Sequence, residues 1–124
     1  MSRNALLLAL LACMTATLFH HAHNAEFLDQ YPNMPEWLSR TSVYAAWLGA
    51  TLIGVAGFVL LQRGFRLTGL VLLTAYACYG LDGLAHYALA PIAAHSAAMN
   101  LSISLEALAG LTLLLALARQ FKAR

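Results

Sequence analysis

The sequence predicts an all-α integral membrane protein, a four-transmembrane-helix antiparallel bundle with N- and C-termini cytoplasmic. Three observations carry that expectation. Hydrophobic residues make up 61% of the chain against 10% charged, the apolar residues gather into four long runs, and nearly all the basic residues fall on one side of those runs. A soluble domain of this size could not cover so much apolar surface.

The runs are Ala5 to Phe19, Val43 to Leu61, Leu67 to Ala90 and Ser96 to Ala118. Crossing the hydrocarbon core takes about 20 mostly apolar residues, because ~30 Å is covered at ~1.5 Å per residue. Helices are therefore expected over 3–22, 42–61, 66–89 and 95–118, with an outer loop over 23–41, in a single membrane domain of 124 residues. The first run is the shortest and also fits the apolar region of a cleaved signal peptide. Cleavage after Ala25 would put His23 where a small residue is preferred, so a retained helix is the expectation. Gln62, Arg63 and Gly64 suit a tight turn between antiparallel neighbours, and Pro91 stops the third helix. The loop carries Tyr31, Pro32, Pro35 and Trp37 and is expected to lie across the bundle mouth, with Tyr31 and Trp37 as anchors at the membrane interface. Ala46, Ala50, Gly54 and Gly57 give the second helix a smooth face for close packing.

Charge sets the orientation. Arg3, Arg63, Arg66, Arg119, Lys122 and Arg124 share one side with no acidic residue, which the positive-inside rule makes cytoplasmic. The other side receives His20, His21, His23, Glu26, Asp29, Glu36, Asp82, His86 and His95, with Arg40 as basic counterpart, while Glu106 lies deeper. A small chain with short inner turns and one long outer loop suits a bacterial inner membrane, with the polar side facing the periplasm. The net charge of +2 and the scattered basic residues exclude a nucleic-acid partner. Cys13 and Cys78 lie in apolar runs without CxxC pairing and read as buried, inert thiols.

Tyr79, Asp82 and His86 are three and four residues apart, as are His95, Met99, Ser102 and Glu106 along the fourth run, so each set would line one helix face. An ionisable side chain costs at least ~2.5 kcal/mol against lipid, so Asp82 and Glu106 are expected to turn into the bundle. Glu106 would stand roughly 15 Å from His95 at the helical rise, too far to share one ion. A tight site would instead join Asp82, His86 and one of His20, His21 or His23, with Glu106 below it near Tyr79 and Cys78.

Imidazole with carboxylate suits copper, zinc or iron, so the leading expectation is a divalent transition-metal site drawn from His20, His21, His23, Asp82, His86 and His95. Haem between paired histidines, His20 or His21 opposite His86, is a lesser variant. One alternative is a small membrane enzyme acting on a lipophilic or quinone-like substrate. Asp82 and His86 would then be its acid and base, and Tyr79 and Glu106 would bind the cofactor or substrate. No GxSxG, HExxH, phosphate-loop or dinucleotide motif accompanies them. Another alternative is an accessory subunit of a larger membrane complex, its polar stripes satisfied by helix-to-helix hydrogen bonds. A proton relay through Asp82, His86 and Glu106 would have to continue inward, where the fourth helix offers Thr112 alone. The D-x-x-x-H of Asp82 and His86, followed by a later histidine and asparagine, is similar to ligand patterns in copper-handling membrane oxygenase subunits. That similarity covers a few residues at a different spacing, and no role is carried over from it.

Overall fold

The computed structural model describes residues 3–122, the side chain of Arg3 excepted; Arg124, counted above among the basic residues, lies outside them. The described chain is helical: α1 (Arg3–Glu26), α2 (Arg40–Gln62), α3 (Arg66–Tyr79), α4 (His86–Leu89) and α5 (Ala97–Lys122). Single 3-10 turns intervene at Leu28–Gln30, Asp82–Ala85 and Ile92–Ala94. Four stretches are long and apolar enough to cross a membrane: Asn4–Glu26, Arg40–Gln62, Arg66–Leu89 and Ala97–Lys122.

α1 packs against α5 and α2, and α3 against α2 and α5, so the crossings form a ring in up-and-down order. The cause is a repeat visible on both α1 and α5. Buried Leu6, Leu10, Cys13, Thr17, His20 and Asn24 alternate intervals of four and three along α1. Met99, Ile103, Glu106, Gly110, Leu113 and Leu117 do the same along α5. Such a seam keeps facing its partner when two helices pack at a small crossing angle. Leu6, Leu10, Leu70, Leu73, Tyr76, Leu113 and Leu117 fill an apolar core towards the end that holds the termini. The opposite end, called here the histidine end, is filled by polar side chains. Leu8, Leu48, Leu52, Leu67, Leu101, Leu108 and Leu115 point outwards, leaving an apolar perimeter of the kind that suits lipid.

α2 meets α3 through glycine. A Cβ on Gly69 would sit 2.6 Å from the backbone nitrogen of Leu61 and 2.8 Å from the Gly57 carbonyl oxygen, so two backbones touch with no side chain between them. Gly54 lies beneath the ring of Tyr76, where a Cβ would be 2.7 Å from Cδ1. The smooth face read from the sequence is thus realised at Gly54 and Gly57, while Ala46 stays exposed. The turn after α2 closes with Gly64 in the left-handed region, at φ 91°. Arg66 reaches the Gln120 carbonyl across the same end of the bundle.

The third crossing departs from the expected continuous helix over 66–89. Its α-helical ladder ends at Tyr79, and Leu81 N and Leu84 N donate instead to Cys78 and Leu81 carbonyls in tighter turns. Two glycines in this stretch weaken the helix. Gly80 also presses against Gly110 of α5, where a Cβ would approach the Gly110 Cα to 2.9 Å. Tyr79, Asp82 and His86 therefore do not share one regular helical face. The fourth crossing also starts later than expected. His95 lies ahead of α5, and Ser96 accepts the Met99 N–H through Oγ at 3.2 Å, as an N-cap residue does. Of the two cysteines, Cys13 is buried as expected, whereas Cys78 is exposed on the apolar perimeter.

Replacing Gly69 by alanine should lower the thermal unfolding midpoint in detergent by the equivalent of about 1–3 kcal/mol, the usual cost of overpacking. Gly49 has open space around its Cα, so Gly49→Ala should leave the midpoint unchanged or raise it. Equal effects from the two substitutions would contradict the backbone contact described.

Candidate functional site

α1 continues to Glu26, past the expected end at residue 22, so His20, His21, His23 and Asn24 all sit on regular helix. His20 and Asn24, four residues apart, face the bundle interior. The break after Tyr79 turns the Gly83 N–H away from any helical carbonyl and towards α5. There it donates to Glu106 Oε2 at 3.1 Å. A Cβ on Gly83 would collide with that oxygen. Glu106 itself is fully buried, so the break and the carboxylate require each other.

The hydrogen positions follow from groups that can act in one way only. Ser102 Oγ–H donates to the Met99 carbonyl at 2.9 Å. The hydroxyl oxygen is then free to accept from His20 Nδ1–H at 3.1 Å. A neutral His20 is left with a bare Nε2, which stands 3.7 Å from Glu106 Oε2. His95 Nδ1–H donates to the Pro91 carbonyl at 3.1 Å, so its Nε2 is also bare. His21 Nδ1–H donates to the Thr17 carbonyl at 2.8 Å, and its Nε2 accepts the phenolic hydrogen of Tyr79 at 2.6 Å. Glu106 Oε1 is 3.4 Å from His21 Nδ1, but that N–H is directed at Thr17 and the carboxylate oxygen keeps no hydrogen bond. The Asn24 amide nitrogen donates to His86 Nε2 at 3.0 Å. Among the described residues, Asn24 Oδ1, His86 Nδ1, His95 Nε2 and Glu106 Oε1 are buried without a hydrogen-bond partner. Each such atom costs about 1–3 kcal/mol until something meets it.

The rings form a chain. His20 and His86 pack edge to face with centroids 5.3 Å apart, and His86 and His95 likewise at 6.1 Å. Tyr31, expected to be an interface anchor, is buried instead. It lies over the His86 ring at 4.8 Å and shares a 2.8 Å hydrogen bond with His23 Nδ1. Burial holds its phenol above the usual pKa, so Tyr31 keeps its hydrogen at neutral pH. The rest of the loop lies across the bundle mouth as expected, fastened by Asn33 Nδ2, which donates to the Leu89 carbonyl at 2.9 Å. Trp37 is 78% exposed, consistent with a ring at an interface.

Asp82 is exposed and does not pair with His86. Together with His21, Asn24, Tyr79 and His86 it lines a cavity of about 190 Å³ under Met34 and Leu38, room for about six waters at ~30 Å³ each. Glu26, also exposed, is clasped outside this cluster by Arg40 at 2.7 Å and by Tyr44 Oη at 2.8 Å.

The structure therefore brings together His20, His21, His86, His95, Tyr79 and Glu106, leaves Asp82 at the mouth, and holds His23 outside through Tyr31. Among the described residues, no group of three or more His, Cys, Asp or Glu side chains is placed to hold a metal ion. Asn24 and Tyr31 were not singled out as site residues. The four-three repeat running from Leu6 through His20 reaches Asn24 and could have shown it. Tyr31 lies in a loop with no periodicity to read. Comparison with protein-family models, with curated proteins and with solved structures finds no match for this chain.

Glu106→Leu should destabilise the protein by about 1–3 kcal/mol in thermal unfolding, because the Gly83 N–H loses its buried acceptor. Glu106→Gln keeps an amide oxygen to accept from the Gly83 N–H, so it should unfold closer to wild type than Glu106→Leu. Matching losses from both variants would show that the hydrogen-bond assignment is wrong.

Proposed function

We propose that the histidine end binds a divalent transition-metal ion, with His20, His86 and His95 as donors and the Glu106 carboxylate beside His20, in a multi-pass membrane protein. The observation that carries this reading is the surplus of buried lone pairs. His95 Nε2 and Glu106 Oε1 are buried without a hydrogen-bond partner, the bond from His20 Nδ1–H to Ser102 leaves His20 Nε2 as an acceptor, and a cation answers such a surplus. Turning the Asn24 amide over would let its Oδ1 accept from His86 Nε2–H and bare Nδ1. Metal-bound imidazoles are commonly held by such an outer hydrogen bond. Nitrogen with carboxylate favours zinc, copper or iron over magnesium or calcium. The donors do not converge on one point as they stand, so ion binding requires the side chains to rearrange, and the cavity beside His86 and Asp82 gives the ion an approach. The rings of His20 and His86 touch, leaving no gap for a macrocycle, so haem forms no part of the proposal. With Arg63, Arg66 and Arg119 at the opposite end, the positive-inside rule turns the histidine end outward, to the periplasm if the membrane is a bacterial inner one.

Purified wild-type protein loaded with zinc or copper and passed through a desalting column should retain about one ion per chain by elemental analysis. A His86→Ala, His95→Ala double variant should lose most of it. Equal retention by the two proteins, or none by either, removes the metal reading.

A second reading, a small membrane enzyme for a lipophilic or quinone-like molecule, draws on the 2.6 Å bond from Tyr79 to His21 and the Glu106 carboxylate behind that ring. A hydroxyl bonded to an imidazole whose other nitrogen is held by the Thr17 carbonyl can exchange a proton at the cavity wall. Solvent extracts of protein isolated in mild detergent should then contain a stoichiometric aromatic or quinone-like compound that Tyr79→Phe no longer holds. Extracts without one rule out a retained molecule of this class.

A further inference from the structure

On the opposite flank from the cavity at Asp82, α1 and α5 leave an apolar furrow of about 660 Å³, lined by Ala9, Ala12, Ala16 and Ala109 with Thr15 and Thr112. Small side chains create it. Both hydroxyls are spent within their own helices, Thr15 on the Leu11 carbonyl at 2.9 Å and Thr112 on the Leu108 carbonyl at 2.7 Å. The furrow therefore has no hydroxyl hydrogen left to donate and suits an apolar occupant. It does not end at Thr112. A further hollow of about 240 Å³ shares Ala9 and Thr112 with it and reaches Arg119, at the end of the bundle that also holds Arg63, Arg66 and Lys122. At the other end the furrow closes on Phe19 and Leu105, with no charged residue among its lining.

We infer that this furrow is a binding site for one acyl chain of an anionic phospholipid whose phosphate sits at Arg119. The charge distribution gives the direction: an apolar groove with a cation at one mouth fits an amphiphile with an anionic head. The length agrees. From Leu105 to Arg119 the helical rise amounts to about 21 Å, more than the ~15 Å of hydrocarbon in one leaflet. A chain anchored at Arg119 is then accommodated over its whole depth. Basic pockets between membrane helices bind anionic head groups in this manner. The site is separate from the histidine end and independent of the metal proposal.

Delipidated protein in neutral detergent, offered equal amounts of phosphatidylglycerol and phosphatidylcholine with the same chains, tests this by mass spectrometry of the intact complexes. Wild type should retain phosphatidylglycerol about fivefold more, the effect of one basic residue at an anionic head group. Arg119→Gln, an exposed substitution, should bring the two lipids level. Ala12→Leu with Ala16→Leu fills the furrow and should lower retention of both. Equal retention by wild type, an undiminished preference in Arg119→Gln, or undiminished retention in the filled variant would each overturn the assignment. So would a protein dimer, in place of bound lipid, that the filled variant abolishes.

Discussion

At the histidine end everything turns on a backbone N–H that has lost its helical carbonyl. Inside a bilayer such a group must find an acceptor within the protein, and Gly83 finds the buried carboxylate of Glu106. That one bond keeps the third long apolar stretch interrupted and fixes the carboxylate against α1. There it confronts the bare nitrogen of His20. A helix that ran unbroken through residue 83 would have no N–H to give, and Glu106 would then be an acceptor with no donor in a region where carboxylates are costly.

The apolar half makes this tolerable. Leucine seams on α1 and α5 and glycine contacts at Gly57, Gly69, Gly80 and Gly110 align the helices closely enough that the polar side chains meet one another. Thr17 marks the boundary. It returns its hydroxyl hydrogen to the Met14 carbonyl, accepts from Trp47 and pairs with Tyr76, tying three helices together where leucine packing gives way to hydrogen bonds.

Much of this was legible in the sequence, for reasons that differ by residue. The four crossings follow from hydropathy and length, and the inward turn of Glu106, Ser102 and His86 follows from the cost of facing lipid. The meeting of Tyr79 with histidines from α1 follows from up-and-down order. The exposure of Asp82 did not follow, because spacing of three and four presumes an unbroken helix and Gly80 to Gly83 do not form one. His95 was misplaced for a related reason: a serine cap starts α5 at residue 97, and no hydropathy window registers a cap. The burial of Tyr31 depends on a loop folding back over His86, a long-range contact that local pattern cannot encode.

α2 contributes Val43, Gly54 and Gly57 as its buried residues and supplies none of the donors in the histidine chain. It sits on α3 with backbone laid against backbone at Gly57 and Gly69, and its polar ties to α1, from Trp47, Tyr44 and Arg40, lie outside the histidine chain. Ser42, Val43 and Ala46 of the same helix form one wall of the cavity that opens at Asp82. The width of that mouth is therefore set by glycine-to-glycine fit some turns away, and a methyl group added there would reshape the entrance without touching a single polar residue.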